Sequence, residues 1–209
     1  EAGLPTARLA SSLVGTHNVR NALGAIALAR GAGLSTTEIA RALPRFAGVR
    51  RRLEIKGEKN GILVVDDFAH HPTAVASTLE AARSRFPGRR LWALFEPRSN
   101  TAGRKMFEEE YAEAFTAADA LVLAPVFHAR RLAPDARLDR EALLRRFAAS
   151  GGGKPAFAPE TIAEIPEILR DAIMASAEER ASRDRRIFVE RSGPRDAEHR
   201  FFVFAPDVL

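Results

Sequence analysis

The sequence predicts an α/β fold: a mostly parallel sheet with helices on both faces and one antiparallel strand, preceded by a short helical segment. Three observations carry this. Apolar runs over 62–68, 91–96 and 120–127 have the length and composition of buried strands. They alternate with helical stretches of ten or more residues, the spacing that crossover connections of a parallel sheet require. The first 47 residues contain no strand-like run at all.

Taken in order, Asn18 to Arg30 is apolar and Ala-rich, and Gly31 and Gly33 can end that helix. Ser35 with Glu38 forms a capping box that opens a second helix through Leu43, stopped by Pro44. Two short helices cannot bury a core alone, so they must pack on the neighbouring sheet domain or on a partner outside this chain. Arg51 to Lys56 and Ile62 to Phe68 read as a hairpin around Asn60-Gly61. A helix runs from Pro72 to Arg85, then a strand from Leu91 to Glu96, a helix over 103–117 and a strand from Ala120 to Phe127. Asp139 caps a helix that ends at Gly151-Gly152-Gly153. Pro155 to Ala158 is a short strand, and Thr161 with Glu164 offers a second capping box. Arg186 to Glu190 and Phe201 to Phe204 close the sheet; their close spacing leaves no room for a crossover, so the last strand is expected to be antiparallel.

Composition narrows the function classes. An apolar content of 46% with 28% charged residues is that of a soluble globular protein. No run of 18 apolar residues and no basic-then-apolar leader occurs, so neither a membrane partner nor a signal peptide is expected. The absence of cysteine excludes disulfides and thiolate metal sites and suits a cytoplasmic enzyme. Glu1 in place of Met suggests a piece of a longer protein. The net charge of +5 raises nucleic acid as a partner, but acidic residues interleave with the arginines, and one Trp and one Tyr give little for base stacking. A modest positive field suits an anionic small molecule better, and no nucleic-acid partner is expected.

The chemistry concentrates at Asp66-Asp67-Phe68-Ala69-His70-His71-Pro72-Thr73, where a buried strand ends in two carboxylates and two imidazoles before a helix start. Open α/β sheets bind ligands at that edge, and a helix N-terminus favours anions. Glu96 to Thr101 and Pro125 to His128 end successive strands and converge on the same edge. Arg98 can grip a carboxylate bidentately, or can be a solvated surface arginine. His128 reads better as a hydrogen-bonded loop histidine. His70 and His71 lack any metal-ligand spacing, so no metal site is assigned. No phosphate-binding loop is present: Gly151-Gly152-Gly153-Lys154 runs into Pro155 and a strand, and Gly15-Thr16-His17-Asn18 has no lysine.

Three motifs, Gly15-x-His17-Asn18-x-x-Asn21-Ala22, Phe46-x-Gly48-x-x-Arg51-Arg52-Leu53-Glu54 and Asp66 to Thr73, occur in the order and spacing of the ATP-dependent Mur ligases, which the chain resembles. Phe68-Ala69 and Glu96-Pro97-Arg98-Ser99-Asn100-Thr101 resemble the branch that ligates murein tripeptide, with the branch that adds L-alanine as the near alternative. The resemblance implies a fold and a reaction. Residues 1–47 would be the last helices of a central ATPase domain, and 48–209 a Rossmann-like C-terminal domain. The N-terminal UDP-sugar domain and the rest of the central domain would be partners outside this chain. ATP and Mg²⁺ would be cofactors, with UDP-N-acetylmuramate and L-alanyl-γ-D-glutamyl-meso-diaminopimelate as substrates.

By the same resemblance, Asn18 and Asn21 would bind adenine with His17 beside them, and Arg52 and Asp67 would hold the nucleotide, Asp67 through ribose. His70 would sit near the phosphate transferred, and Arg98, Asn100 and Thr101 would face the peptide. The sequence departs from the family at Arg191-Ser192-Gly193-Pro194-Arg195-Asp196, where a Gly-rich turn is usual. A rival reading is a binding module without catalysis, which fits this chain taken alone because it lacks the phosphate loop.

Overall fold

The computed structural model describes residues 8–59, 61–99 and 101–175, and the backbone of 201–204. Asn60, Asn100, the strand expected over 186–190 and the loop Arg191–Asp196 lie outside the described residues.

Among the described residues six strands form one sheet: β1 (Glu54–Lys59), β2 (Ile62–Asp66), β3 (Arg90–Phe95), β4 (Ala120–Leu123), β5 (Ala156–Phe157) and β6 (Phe201–Phe204). Their spatial order is β1-β2-β6-β3-β4-β5. β1 and β2 make the expected antiparallel hairpin, with Lys59 opposite Ile62 and Gly61 at φ 75° in the turn. Every other pairing is parallel. The expectation of an antiparallel last strand is therefore overturned. β6 lies in the middle of the sheet, with Val203 level with Val64 on one side and Trp92 on the other. A strand in that slot completes hydrogen-bond ladders along both edges, and the chain from 176 to 200 is long enough for a crossover.

The helices are α1 (Thr16–Gly31), α2 (Thr36–Ala42), α3 (Pro72–Arg85), α4 (Glu108–Ala114), α5 (Arg140–Ser150) and α6, described over 165–175. The Ser35 box forms as expected: Ser35 Oγ accepts the Glu38 N–H, and Glu38 Oε2 accepts the Ser35 N–H at 2.8 Å. The second box does not form in that way. Thr161 Oγ1 donates to the Glu164 side chain instead, and the Glu160 N–H donates to the other carboxylate oxygen. The helix expected over 103–117 shortens to α4 between two 3-10 turns. Gly103 is drawn out of it, because its carbonyl accepts the Leu138 N–H at 2.9 Å. The strand expected to reach Phe127 stops at Leu123, since Pro125 has no N–H for a ladder.

Strand side chains alternate between two cores. Leu91, Ala93 and Phe95 of β3, with Leu121 and Leu123 of β4, pack against Leu79, Tyr111, Phe115, Leu143 and Phe147 from α3, α4, α5 and the turn after α4. Trp92 and Leu94, with Ala120 and Val122, pack against Ile165 and Ile173 of α6 on the other face. Burying such a large side chain contributes roughly 1.5–3 kcal/mol, so this double-sided burial fixes the sheet. α1 differs: none of its residues is buried, and Val19, Leu23 and Leu28 are 56%, 60% and 77% exposed. It joins the sheet domain at Gly15 (φ 99°), where a Cβ would lie 2.9 Å from the Cβ of Ala81 in α3.

Candidate functional site

The carboxyl ends of β2, β3 and β4 carry three loops, each held by its own hydrogen bonds. In the first, Asp67 is 3% exposed and fully engaged. Its Oδ2 accepts the Leu53 N–H at 2.9 Å, and its Oδ1 accepts the Ala69 N–H at 2.8 Å and the Thr78 hydroxyl at 3.3 Å. Burial pushes its carboxyl above the usual range, opposed by the Leu53 and Ala69 N–H groups and by the charge of Arg52. The Phe68 N–H donates to the Arg51 carbonyl, which ties this loop to the entry of β1. His70 Nδ1 lies 3.0 Å from the Phe68 carbonyl, so it carries the proton and leaves Nε2 as the outer nitrogen. Tyr111, buried in α4, donates its hydroxyl to the His70 carbonyl. His71 leads into α3 with Pro72 at the first helical position.

Arg52 is presented from a strained segment. Arg51 (φ 58°) and Leu53 (φ 47°) on either side of it occupy the left-handed region, which non-glycine residues rarely adopt. The fold over-determines Leu53: Asp67 holds its N–H, and Arg85 donates to its carbonyl at 3.0 Å. Arg52 thereby borders a cavity of about 450 Å³ lined also by Ser12, Leu13, Asn18, Arg50 and Arg85. Within it Asn18 Nδ2 donates to the Val14 carbonyl at 2.8 Å. Arg51 and Arg52 both lie over the Phe68 ring, at 4.7 and 5.9 Å.

The second and third loops form one unit. Glu96 is buried at the end of β3, and burial raises its carboxyl above the usual range against the charge of Arg98. Arg98 Nε stands 3.7 Å from Glu96 Oε2, and its guanidinium lies 4.1 Å above the ring of Phe127. Phe127 in turn touches His128, with ring centroids 4.3 Å apart. The Phe127 N–H donates to the Pro97 carbonyl, so backbone joins the two loops as well. Gly103 permits their approach: a Cβ there would come within 2.8 Å of Val126 Cγ1.

The structure thus brings Asn18 and Arg52 to one cavity, Asp67 and His70 to one loop, and Arg98 to a paired loop with Thr101 on its own chain segment. His17 sits beside Gly15 at the start of α1, and Asn21 is exposed and does not line the cavity. Lys154, after the three glycines, donates to the Thr116 carbonyl, so it serves that loop. Among the described residues no group of three His, Cys, Asp or Glu side chains is placed to hold a metal. Sequence reasoning placed Glu96 and Phe127 within strand-end stretches without giving either a role, and it missed Tyr111. The signal for Glu96 was an acid closing a buried strand; for Phe127 it was an exposed aromatic at the end of the next one.

Residues 51–189 match the family described as Mur ligase, glutamate ligase domain. The UDP-N-acetylmuramate–L-alanine ligase of Roseiflexus sp. (strain RS-1) is 48% identical over 118 residues, 56% of this chain and 25% of that protein. The chain therefore spans about a quarter of that relative's length. Among solved structures, the UDP-N-acetylmuramate–alanine ligase of Thermotoga maritima superposes with a TM-score of 0.67 at 23% identity, covering 97% of this chain and 37% of the other. A murein peptide ligase of Psychrobacter arcticus 273-4 gives a TM-score of 0.57 at 29% identity, covering 96% and 35%. With that family match spanning most of the sheet domain, this chain belongs to the Mur ligases.

Proposed function

We propose that the chain is the C-terminal part of an ATP-dependent ligase that joins L-alanyl-γ-D-glutamyl-meso-diaminopimelate to UDP-N-acetylmuramate, a reaction of peptidoglycan recycling in the cytoplasm. Residues 1–47 then close a central ATPase domain, and 48–209 form the C-terminal domain. The exposed Val19, Leu23 and Leu28 support that division, because α1 leaves these apolar side chains uncovered by the sheet domain.

The observation that carries the substrate reading is Arg98, held over Phe127 beside Glu96. A fixed guanidinium suits carboxylate recognition, and the tripeptide has several carboxylates where alanine has one. The 29% identity to a murein peptide ligase over nearly the whole chain supports the same reading. The second reading, UDP-N-acetylmuramate–L-alanine ligase, is favoured by the 48% identity over 118 residues.

In this reaction ATP phosphorylates the muramate carboxylate, ADP departs, and the peptide amine displaces phosphate from the acyl carbon with loss of a proton. The chain's own residues bind and orient. Asn18 and Arg52 border the cavity assigned to the nucleotide, and His17 and Asn21, on the same helix as Asn18, are assigned to it as well; an Asn amide offers the donor and acceptor that an adenine edge requires. Asp67, assigned to the ribose, is buried and holds the loop at that edge through the Leu53 and Ala69 N–H groups. His70 is assigned to the transferred group through Nε2, since its Nδ1 is held by the Phe68 carbonyl. Arg98, Asn100 and Thr101 are assigned to peptide binding. Mg²⁺ would accompany the nucleotide phosphates, and no residue of this chain is assigned to it. Without a phosphate loop the isolated chain is expected to release no ADP.

In the full-length enzyme, Arg98→Ala should cost roughly 2–4 kcal/mol in kcat/KM for tripeptide, the scale of a lost charge-assisted pair, with the KM for ATP little changed. An unchanged peptide KM would remove Arg98 from the site.

A further inference from the structure

We infer that Phe127 is a specificity-determining positioning residue that acts on the peptide through Arg98. The inference rests on the proposed role of Arg98 as a carboxylate clamp and adds what gives that clamp its direction.

Arg98 leaves buried Pro97 on an exposed loop, where a long side chain has many rotamers to lose on binding. Two contacts remove that freedom. Glu96 Oε2 stands 3.7 Å from Nε, and the guanidinium carbon lies over the Phe127 ring, 4.1 Å from its centroid. A ring under the guanidinium and a carboxylate on its Nε side together narrow the directions in which the fork can point. Phe127 is itself fixed by its N–H to the Pro97 carbonyl and by the His128 ring. It is 48% exposed, so the core does not account for an aromatic there. Exposure also means that its replacement should leave the fold intact.

The test is a double-mutant cycle in the full-length enzyme with ATP, UDP-N-acetylmuramate and tripeptide. Phe127→Leu should raise the tripeptide KM about five-fold, within the cation–π range, while the ATP KM and the melting temperature stay near wild type. Phe127→Tyr should restore binding, since its ring keeps the stack. In an Arg98→Ala background, Phe127→Leu should add nothing. A persisting effect in that background means that Phe127 acts without Arg98, and an unchanged KM in Phe127→Leu means that it does not act at all; either overturns the inference. If Arg98→Ala itself leaves the tripeptide KM unchanged, it is the clamp reading that fails.

Discussion

The carboxylate of Asp67 accepts the backbone N–H of Leu53 at 2.9 Å, which ties the end of β2 to the entry of β1 across 14 residues of sequence. Leu53 sits at φ 47°, so this bond holds a residue in a conformation it would otherwise leave. Arg52, one residue earlier, owes its place at the cavity rim to that constraint.

Asp67→Ala should therefore cost about 1–3 kcal/mol, because two buried N–H groups lose their acceptor. Urea unfolding of this chain checks the value. A cost below about 0.5 kcal/mol would mean that the Leu53 segment is held by other contacts.

Glu96 should give a pH signature. Burial raises its folded-state pKa above the ordinary 4.5, so the folded chain binds this proton more tightly than the unfolded chain does. Its contribution to stability is then present at acid pH and is lost as pH rises from about 4.5 through the folded value. Glu96→Gln should remove that loss, so its stability relative to wild type should improve from about pH 4 to about pH 7. Urea midpoints at the two pH values measure this; a relative stability that worsens with pH would show the Arg98 pairing to outweigh burial.

Gly103→Ala should destabilise by roughly 1–3 kcal/mol, since its Cβ would overlap Val126 at 2.8 Å and press against Leu132. The effect should reach the Arg98–Phe127 pair, because Gly103 lies where the two loops meet. Thermal unfolding gives the first quantity, and tripeptide KM in the full-length enzyme gives the second. A neutral substitution would show the loops to be loosely apposed.

The exposed leucines of α1 test the domain division. Leu23→Ser and Leu28→Ser should each change the stability of this chain by less than about 0.5 kcal/mol, because both side chains are already in water. In the full-length protein the same changes should lower the melting temperature by several degrees. Equal behaviour in both settings would place α1 outside any domain contact.

For the nucleotide edge, Asn18→Ala in the full-length enzyme should raise the ATP KM by the equivalent of about 1–3 kcal/mol and leave the tripeptide KM nearly unchanged. Asn21→Ala should show the same split, with a smaller effect in line with its exposure. An ATP KM that responds to neither removes α1 from nucleotide binding.

Local rules made much of the molecule legible. Ser35 and Glu38 announced their helix, Asn60-Gly61 the hairpin, and the runs around Trp92 and Val122 two buried strands, because each rests on neighbours in sequence. The failures were long-range. Nothing local says that Phe201–Phe204 belongs between β2 and β3, since that slot is defined by strands far away in the chain. The left-handed Leu53 was equally hidden, as Asp67 and Arg85 hold that residue from elsewhere in the chain. At the site, Arg98 and the Asp66–His71 run were visible as chemistry at strand ends. Glu96 and Phe127 mattered only once the loops after β3 and β4 were seen to stack.

The most direct measurement offers L-alanine and L-alanyl-γ-D-glutamyl-meso-diaminopimelate in competition to the full-length enzyme with ATP and UDP-N-acetylmuramate, and reads the two ligated products by mass. With Arg98 held as a carboxylate clamp, the tripeptide product should dominate at equal concentrations, and Arg98→Ala should erase the preference. Faster incorporation of L-alanine by the wild-type enzyme would contradict the tripeptide assignment and make the chain part of an L-alanine ligase.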